Sequence, residues 1–270
     1  MIPRASNWIF EHGLPNTERS NASVTKIENA VPISYIVAPL SSRTTHGLTM
    51  RPLLLYAFLS AAALTSIMMS PAPLHVIFFG DSITEAGVGP AGYITQLRGM
   101  LPADRFELTG AGIGGNKVYD LYLRLDRDVL ERHPDVVVVF VGVNDVWHKK
   151  TLGTGTDADK FVAFYDALIK KMQEKGIRVI LATPALIGEK TDCSNDLDGE
   201  LNHYAQLIRD LATAHRCTLV DLRREFLKYL GTANTANAEK GILTEDRVHF
   251  TAEGNRLAAR LFLSALTEKQ

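Results

Sequence analysis

The chain predicts an α/β protein, a three-layer α/β/α sandwich on a parallel sheet of about five strands. From Leu74 onward, short apolar runs rich in β-branched residues alternate with stretches whose apolar residues recur at helical spacing. The stretches between runs are long enough to form crossover helices, which parallel neighbours require and hairpins do not. The run from Val136 to Val141 is apolar throughout, as expected of a strand covered on both faces.

The elements follow in order. "LHVIFF" (Leu74–Phe79) ends at Gly80 and predicts a buried first strand. "GYITQLRGML" then places Ile94, Leu97 and Leu101 on one helical face. "FELTG" is a second, weaker strand, and residues 116–130 carry Val118, Leu121, Tyr122, Leu125 and Val129 at helical spacing. "PDVVVVFVGVND" is the strongest strand, with a proline at its entrance. Phe161, Phe164, Leu168 and Met172 stripe a helix that Gly176 can terminate. "IRVILATPAL" is the fourth strand, Leu201, Tyr204, Ile208 and Leu211 stripe the next helix, and "CTLVDL" is the fifth strand. After "DRVHF", Thr251 caps a last helix carrying Leu257, Leu261 and Phe262.

The N-terminal part differs. Residues 1–49 show no sustained period and are expected to be a mis-assigned or disordered extension. "MRPLLLYAFLSAAALTSIMMSPAP" has a methionine, one arginine, an uncharged run from Leu53 to Met69 and small residues around its end. That layout predicts a signal peptide over 50–72 that exports the protein to the periplasm or exterior, with an uncleaved membrane anchor or a buried core helix as the alternatives. One folded domain is expected over 73–270. Composition is ordinary for a soluble protein, at 46% hydrophobic and 22% charged residues. A net charge of −1 argues against nucleic acid as partner and leaves the anchor as the route to a membrane. Cys193 and Cys217 have no metal-site spacing and read as packing or surface residues, with a disulfide open if the chain is exported.

In a parallel sheet, ligands bind beyond the carboxyl ends of the strands. Three polar groups fall on that rim. Ser82 follows the first strand in "FFGDSIT", the glycines of "GAGIGGN" follow the second, and "VGVND" ends the third. Ser82 is either a nucleophile or a helix cap, and the first reading needs a base and oxyanion donors. "DRVH" offers the base: one helical turn would put Asp246 and His249 on the same side, with the carboxylate on Nδ1 and Nε2 facing out. The N–H groups of Ser82 and Gly115 and the amide of Asn144 are candidate oxyanion donors. Asp81 reads as structural, tying the turn. Gly110, Gly112 and Gly115 also spell GxGxxG, but Asp126 and Asp128 sit inside a helical pattern rather than at the end of a next strand, against a dinucleotide site. GxSxG, Walker and HExxH patterns do not occur, and no cofactor or metal is called for.

Four blocks, "FFGDSIT", "GAGIGGN", "VGVND" and "DRVHF", stand in the order of the GDSL, or SGNH, hydrolases, which the chain resembles over residues 78–250. The resemblance implies a flavodoxin-like sheet and a serine esterase working through an acyl-serine intermediate. It implies Ser82 as nucleophile and donor, Gly115 and Asn144 as oxyanion donors, and Asp246 with His249 as the rest of the triad. The family's usual Asn in the second block is Gly110 here, which leaves a supporting side-chain hydrogen bond without its donor.

Substrates in such a family include lysophospholipids, acyl thioesters, short esters and acetylated carbohydrates. The expectation here is a short-chain or acetyl ester, small or carried by a carbohydrate or lipid. The alternatives are a lysophospholipase or acyl-thioesterase, and a noncatalytic glycan- or lipid-binding relative. Trp147 and His148, just after Asn144, are candidates to line the substrate pocket, with packing under the next loop as the other reading of Trp147.

Overall fold

The computed structural model describes residues 72–268. The extension expected over 1–49 and, apart from Ala72, the leader expected over 50–72 lie outside the described residues. Five strands form the sheet: β1 (Leu74–Gly80), β2 (Phe106–Gly112), β3 (Val136–Phe140), β4 (Arg178–Ala182) and β5 (Thr218–Val220). They are all parallel, in the order β2-β1-β3-β4-β5, so the three-layer expectation holds.

Among the described residues eight α-helices accompany them, the last two after β5: α1 (Ser82–Gly87), α2 (Tyr93–Met100), α3 (Val118–Asp128), α4 (Val143–Thr151), α5 (Ala158–Glu174), α6 (Asp198–Ala214), α7 (Leu222–Ala233) and α8 (Ala252–Thr267). The two-residue period of β1 and β3 sorts the core into two faces. Phe78 and Phe140 meet Tyr93 of α2 and Phe262 of α8 through edge-on and tilted ring contacts at centroid distances of 5.4–6.3 Å. Phe79 turns to the other face, under α3, and the Tyr165 hydroxyl of α5 donates to the Val139 carbonyl. Phe78, Phe79, Tyr93 and Phe262 are wholly buried, each ring contributing about 1.5–3 kcal/mol by leaving water.

Local sequence explains most boundaries. Gly176 adopts φ +74° just past the C-terminus of α5, a conformation that would strain any side chain. The Thr251 hydroxyl accepts from the Gly254 N–H and caps α8 as expected. Two helices exceed the sequence reading. α4 starts at Val143, so Asn144 lies in a first helical turn rather than at a strand end. α7 follows β5 with Leu222, Phe226 and Leu230 buried at four-residue spacing. β2 also runs on to Gly112, because Gly110 and Gly112 pair with Phe78 and Gly80 of β1.

Those two glycines let β1, β2 and α1 approach closely. A Cβ on Gly112 would lie 2.0 Å from the Glu85 nitrogen and 2.7 Å from the Asp81 carbonyl oxygen. One on Gly110 would lie 2.4 Å from Val88 Cγ1, so a side chain at that position would require Val88 to shift. Cys193 is exposed, Cys217 is half-buried, and both are free thiols. Among the described residues, no helix is long and apolar enough to cross a membrane. Gly112→Ala should lower the unfolding free energy by about 2–3 kcal/mol, because the obstacle is backbone and cannot rotate away. A urea midpoint unchanged from that of the wild type would contradict this packing.

Candidate active site

The site is assembled at the carboxyl ends of β1, β2 and β3. Ser82 is the first residue of α1, and Asp81, not Ser82, is its N-cap: the Asp81 carboxylate accepts from the Ile83 N–H at 3.0 Å. Asp81 is therefore structural, as its place in the turn suggested. Its burial, with Asp145 nearby, raises its pKa to about 7 despite the hydrogen bond from Ile83.

The imidazole comes from the other end of the chain. His249 Nε2 lies 2.9 Å from Ser82 Oγ, and its Nδ1 lies 2.6 Å from Asp246 Oδ2. The Asp246 Oδ1 accepts from the Val248 N–H at 3.0 Å and the His249 N–H at 2.8 Å. Burial opposes ionisation of Asp246, but the ring hydrogen bond and these two N–H groups prevail and hold its carboxyl below the usual range. An ionised carboxylate only accepts, so Nδ1 carries the ring proton and Nε2 is free to accept from the serine hydroxyl.

The geometry differs from the expected helical turn. Asp246 and His249 lie in an irregular loop before α8, where the carboxylate bonds the N–H groups two and three residues on and Arg247 takes φ +90°. This Asx-type turn, rather than helical periodicity, brings the ring over its carboxylate.

Gly114 passes close to Ser82, and Gly115 follows it in the same loop. A Cβ on Gly114 would be 4.0 Å from Ser82 Cβ, and Gly115 sits at φ +75°, where glycine is favoured. Asn144 is buried, and its Nδ2 donates to the Asn116 carbonyl at 3.1 Å, which ties the α4 start to the glycine loop. The next residue, Asp145, accepts from the Val118 N–H and so caps α3 from the neighbouring helix; burial raises its pKa to about 6.

His148 lies one turn after Asn144, with Cε1 3.8 Å from the position a Cβ on Gly115 would take. Its Nδ1 is buried without a partner among the described residues. Burial, then the nearby Lys117 charge, lowers its pKa. Trp147 packs half-buried against the hydrophobic core, and its ring centroid lies 5.7 Å from that of His148.

The sequence reading missed Arg124. This buried side chain donates to the carbonyls of Gly80 (2.7 Å) and Ala111 (3.1 Å) and to Asn116 Oδ1 (2.7 Å), with its guanidinium 4.4 Å from the Phe79 ring centroid. It joins the ends of β1 and β2 to the glycine loop, a connection between β1, β2 and that loop that does not need the absent asparagine side chain. The available signal was a charge on the apolar face of α3, one turn beyond Leu121. Among the described residues, no cluster of three or more His, Cys, Asp or Glu side chains is placed to hold a metal.

The match to known proteins covers the same segment. Residues 78–257 match the model of the GDSL-like lipase/acylhydrolase family. The chain belongs to that family. It is a carboxylic ester hydrolase. A curated relative is an acetylxylan esterase of Geobacillus stearothermophilus, 30% identical over 210 residues, covering 70% of this chain and 91% of the relative. Among solved structures, the acetyl xylan esterase AlAXEase is 57% identical with a TM-score of 0.69, over 71% of this chain and 99% of its own. An α/β hydrolase from the metagenome of Lake Arreo, Spain, is 29% identical with a TM-score of 0.63, over 73% of this chain and 96% of its own.

In this GDSL hydrolase the raised pKa of Asp81 has a consequence for stability. Its folded value near 7 exceeds the ordinary 3.8, so the stability tied to its neutral form is full below about pH 4 and is lost as pH rises toward 7. Asp81→Asn keeps an oxygen to cap α1 but cannot ionise. The variant's stability relative to wild type should rise between pH 4 and 7 in urea titrations, and a constant difference across that window would contradict the assignment.

Proposed function

We propose that the protein removes acetyl groups from a carbohydrate ester, acetylated xylan or its oligosaccharides in particular, through an acetyl-serine intermediate. The observation that carries this reading is the continuous line Ser82 Oγ–His249–Asp246, with contacts of 2.9 and 2.6 Å. The acetylxylan esterases among its relatives support the substrate class.

In this reading, Ser82 Oγ attacks the acetyl carbonyl and its proton passes to His249 Nε2. Asp246 holds the ring orientation and stabilises the imidazolium. The charge that develops on the carbonyl oxygen is met by the N–H groups of Ser82 and Gly115 and the amide of Asn144. The tetrahedral intermediate expels the sugar oxygen, which takes the proton back from His249 and leaves as an alcohol. Water then attacks the acetyl-serine, with His249 accepting its proton; the second tetrahedral intermediate collapses with breakage of the Ser82 Oγ–acyl bond, Ser82 Oγ takes the proton from His249, and acetate is released. The start of α1 adds a favourable field for negative charge at Ser82.

Exposure agrees with a polymer-borne ester. The His249 and Asp246 side chains are 36% and 49% exposed, and polar side chains flank the glycine loop beside Ser82, Glu85 next to Gly114 and His148 next to Gly115. A ring such as that of His148 against Gly115 suits a small acyl group. Export by the leader-like segment over 50–72 belongs to the same reading, since such a substrate is met outside the cell.

Ser82→Ala should abolish turnover of p-nitrophenyl acetate while the folded state is retained; residual turnover in a clean preparation would reject the nucleophile. Asn144→Ala should lower kcat by about 100-fold. Acetyl esters should be cleaved faster than octanoyl and palmitoyl esters, and acetate should be released from acetylated xylo-oligosaccharides. A preference for the long acyl chains would move the reading to a lysophospholipase or thioesterase.

A further inference from the structure

We propose that Glu189 is a positioning residue for this hydrolysis: a buried carboxylate that clamps the loop bearing Asp246 and His249. This inference rests on the Ser82–His249–Asp246 reading above. The loop poses a mechanical problem. It joins α7 to α8 without regular secondary structure, and Asp246 on it is exposed, yet it must hold an imbalance-free distance between an imidazole and a hydroxyl far away in sequence.

Glu189 is wholly buried and reaches the loop with its carboxylate. Its Oε2 accepts from the Ile242 N–H at 2.9 Å. Its Oε1 accepts from the Leu243 N–H at 2.8 Å, the Thr244 hydroxyl at 2.6 Å and the Thr244 N–H. The backbone around Glu189 takes hold as well: its N–H donates to the Glu239 carbonyl, and the Gly188 N–H donates to the carbonyl of Arg247, each at 2.9 Å. Residues 188 and 189 therefore grip the loop both before Asp246 and between Asp246 and His249.

From the clamp, the path to the imidazole is short. Thr244 forms an antiparallel bridge with Phe250, and the Glu245 N–H donates to the His249 carbonyl at 2.8 Å. Only an ionised carboxylate accepts at both oxygens without presenting a donor of its own. A glutamine would set an amide N–H against one of the loop's donors, so the position favours charge as well as shape.

The test uses Glu189→Gln and the milder Thr244→Val, which removes one hydroxyl donor and keeps a similar side-chain volume. Turnover of p-nitrophenyl acetate, thermal unfolding, and the downfield proton resonance of the His249 Nδ1–H are measured for each and for wild type. Glu189→Gln should lower kcat on the order of 10- to 100-fold with KM within about twofold, and shift or broaden the imidazole resonance in protein that is still folded. Thr244→Val should act in the same direction and less. The proposal is overturned if kcat and the resonance match wild type, or if the loss merely follows the fraction unfolded at the assay temperature. If Ser82→Ala abolishes activity while Glu189→Gln retains it, only the positioning role fails. If wild type itself does not turn over the ester, or Ser82→Ala retains activity, the hydrolytic reading fails first.

Discussion

The constraint on which the rest depends is that β1 has a parallel neighbour on each side. The chain leaves β1 for β2 on one flank and later enters β3 on the other, so the ends of the three strands open a crevice between diverging connections. Ser82 follows β1, the glycine loop follows β2, and Asn144 follows β3, all at that crevice. Parallel pairing thus gathers groups from three separate segments before any of them makes a specific contact. The loop before α8 supplies the fourth, and the Ser82–His249 hydrogen bond closes the arrangement across the length of the folded domain.

Helix starts at a crevice leave backbone N–H groups to satisfy, and this protein does so with buried acids. Asp81 caps α1, Asp145 caps α3 from the start of α4, and both carboxyls are raised by burial. The carbonyl ends of β1 and β2 are satisfied in turn by Arg124. Polar groups that do not touch the reacting atoms therefore fix the backbone that does. Their cost is a stability that depends on pH, because a carboxyl that is easiest to bury neutral must ionise as pH rises.

Much of the fold was legible because its signals are local. An unbroken apolar run such as Val136–Val141 specifies a strand with two covered faces, and the stripe Leu201, Tyr204, Ile208, Leu211 specifies a helix with one. The helix α4 was not legible, since only Val143 and Val146 among its apolar residues are buried and its tail is basic. The extension of β2 beyond Gly110 to Gly112 was hidden for a similar reason. Glycine carries little strand signal of its own, and pairing with β1 decides its conformation.

For the site, residue chemistry and spacing named Ser82, Gly115, Asn144, Asp246 and His249, because a serine, an amide and an Asp–His pair leave a pattern readable along one dimension. Trp147 and His148 looked equivalent in the sequence, and only the folded structure shows Trp147 packed on the core and His148 beside Gly115. Arg124 and Glu189 belong to no motif. Their partners lie 44 residues away at Gly80 and as far as 55 residues away at Thr244, so their roles exist only after the chain has folded. The sequence by itself determined the layered sheet and the candidates for the reactive groups, since both arise from local periodicity and side-chain chemistry. The tertiary structure alone decided which charges brace those groups and how the Asp246–His249 turn is built, since these depend on contacts between segments that no local pattern records.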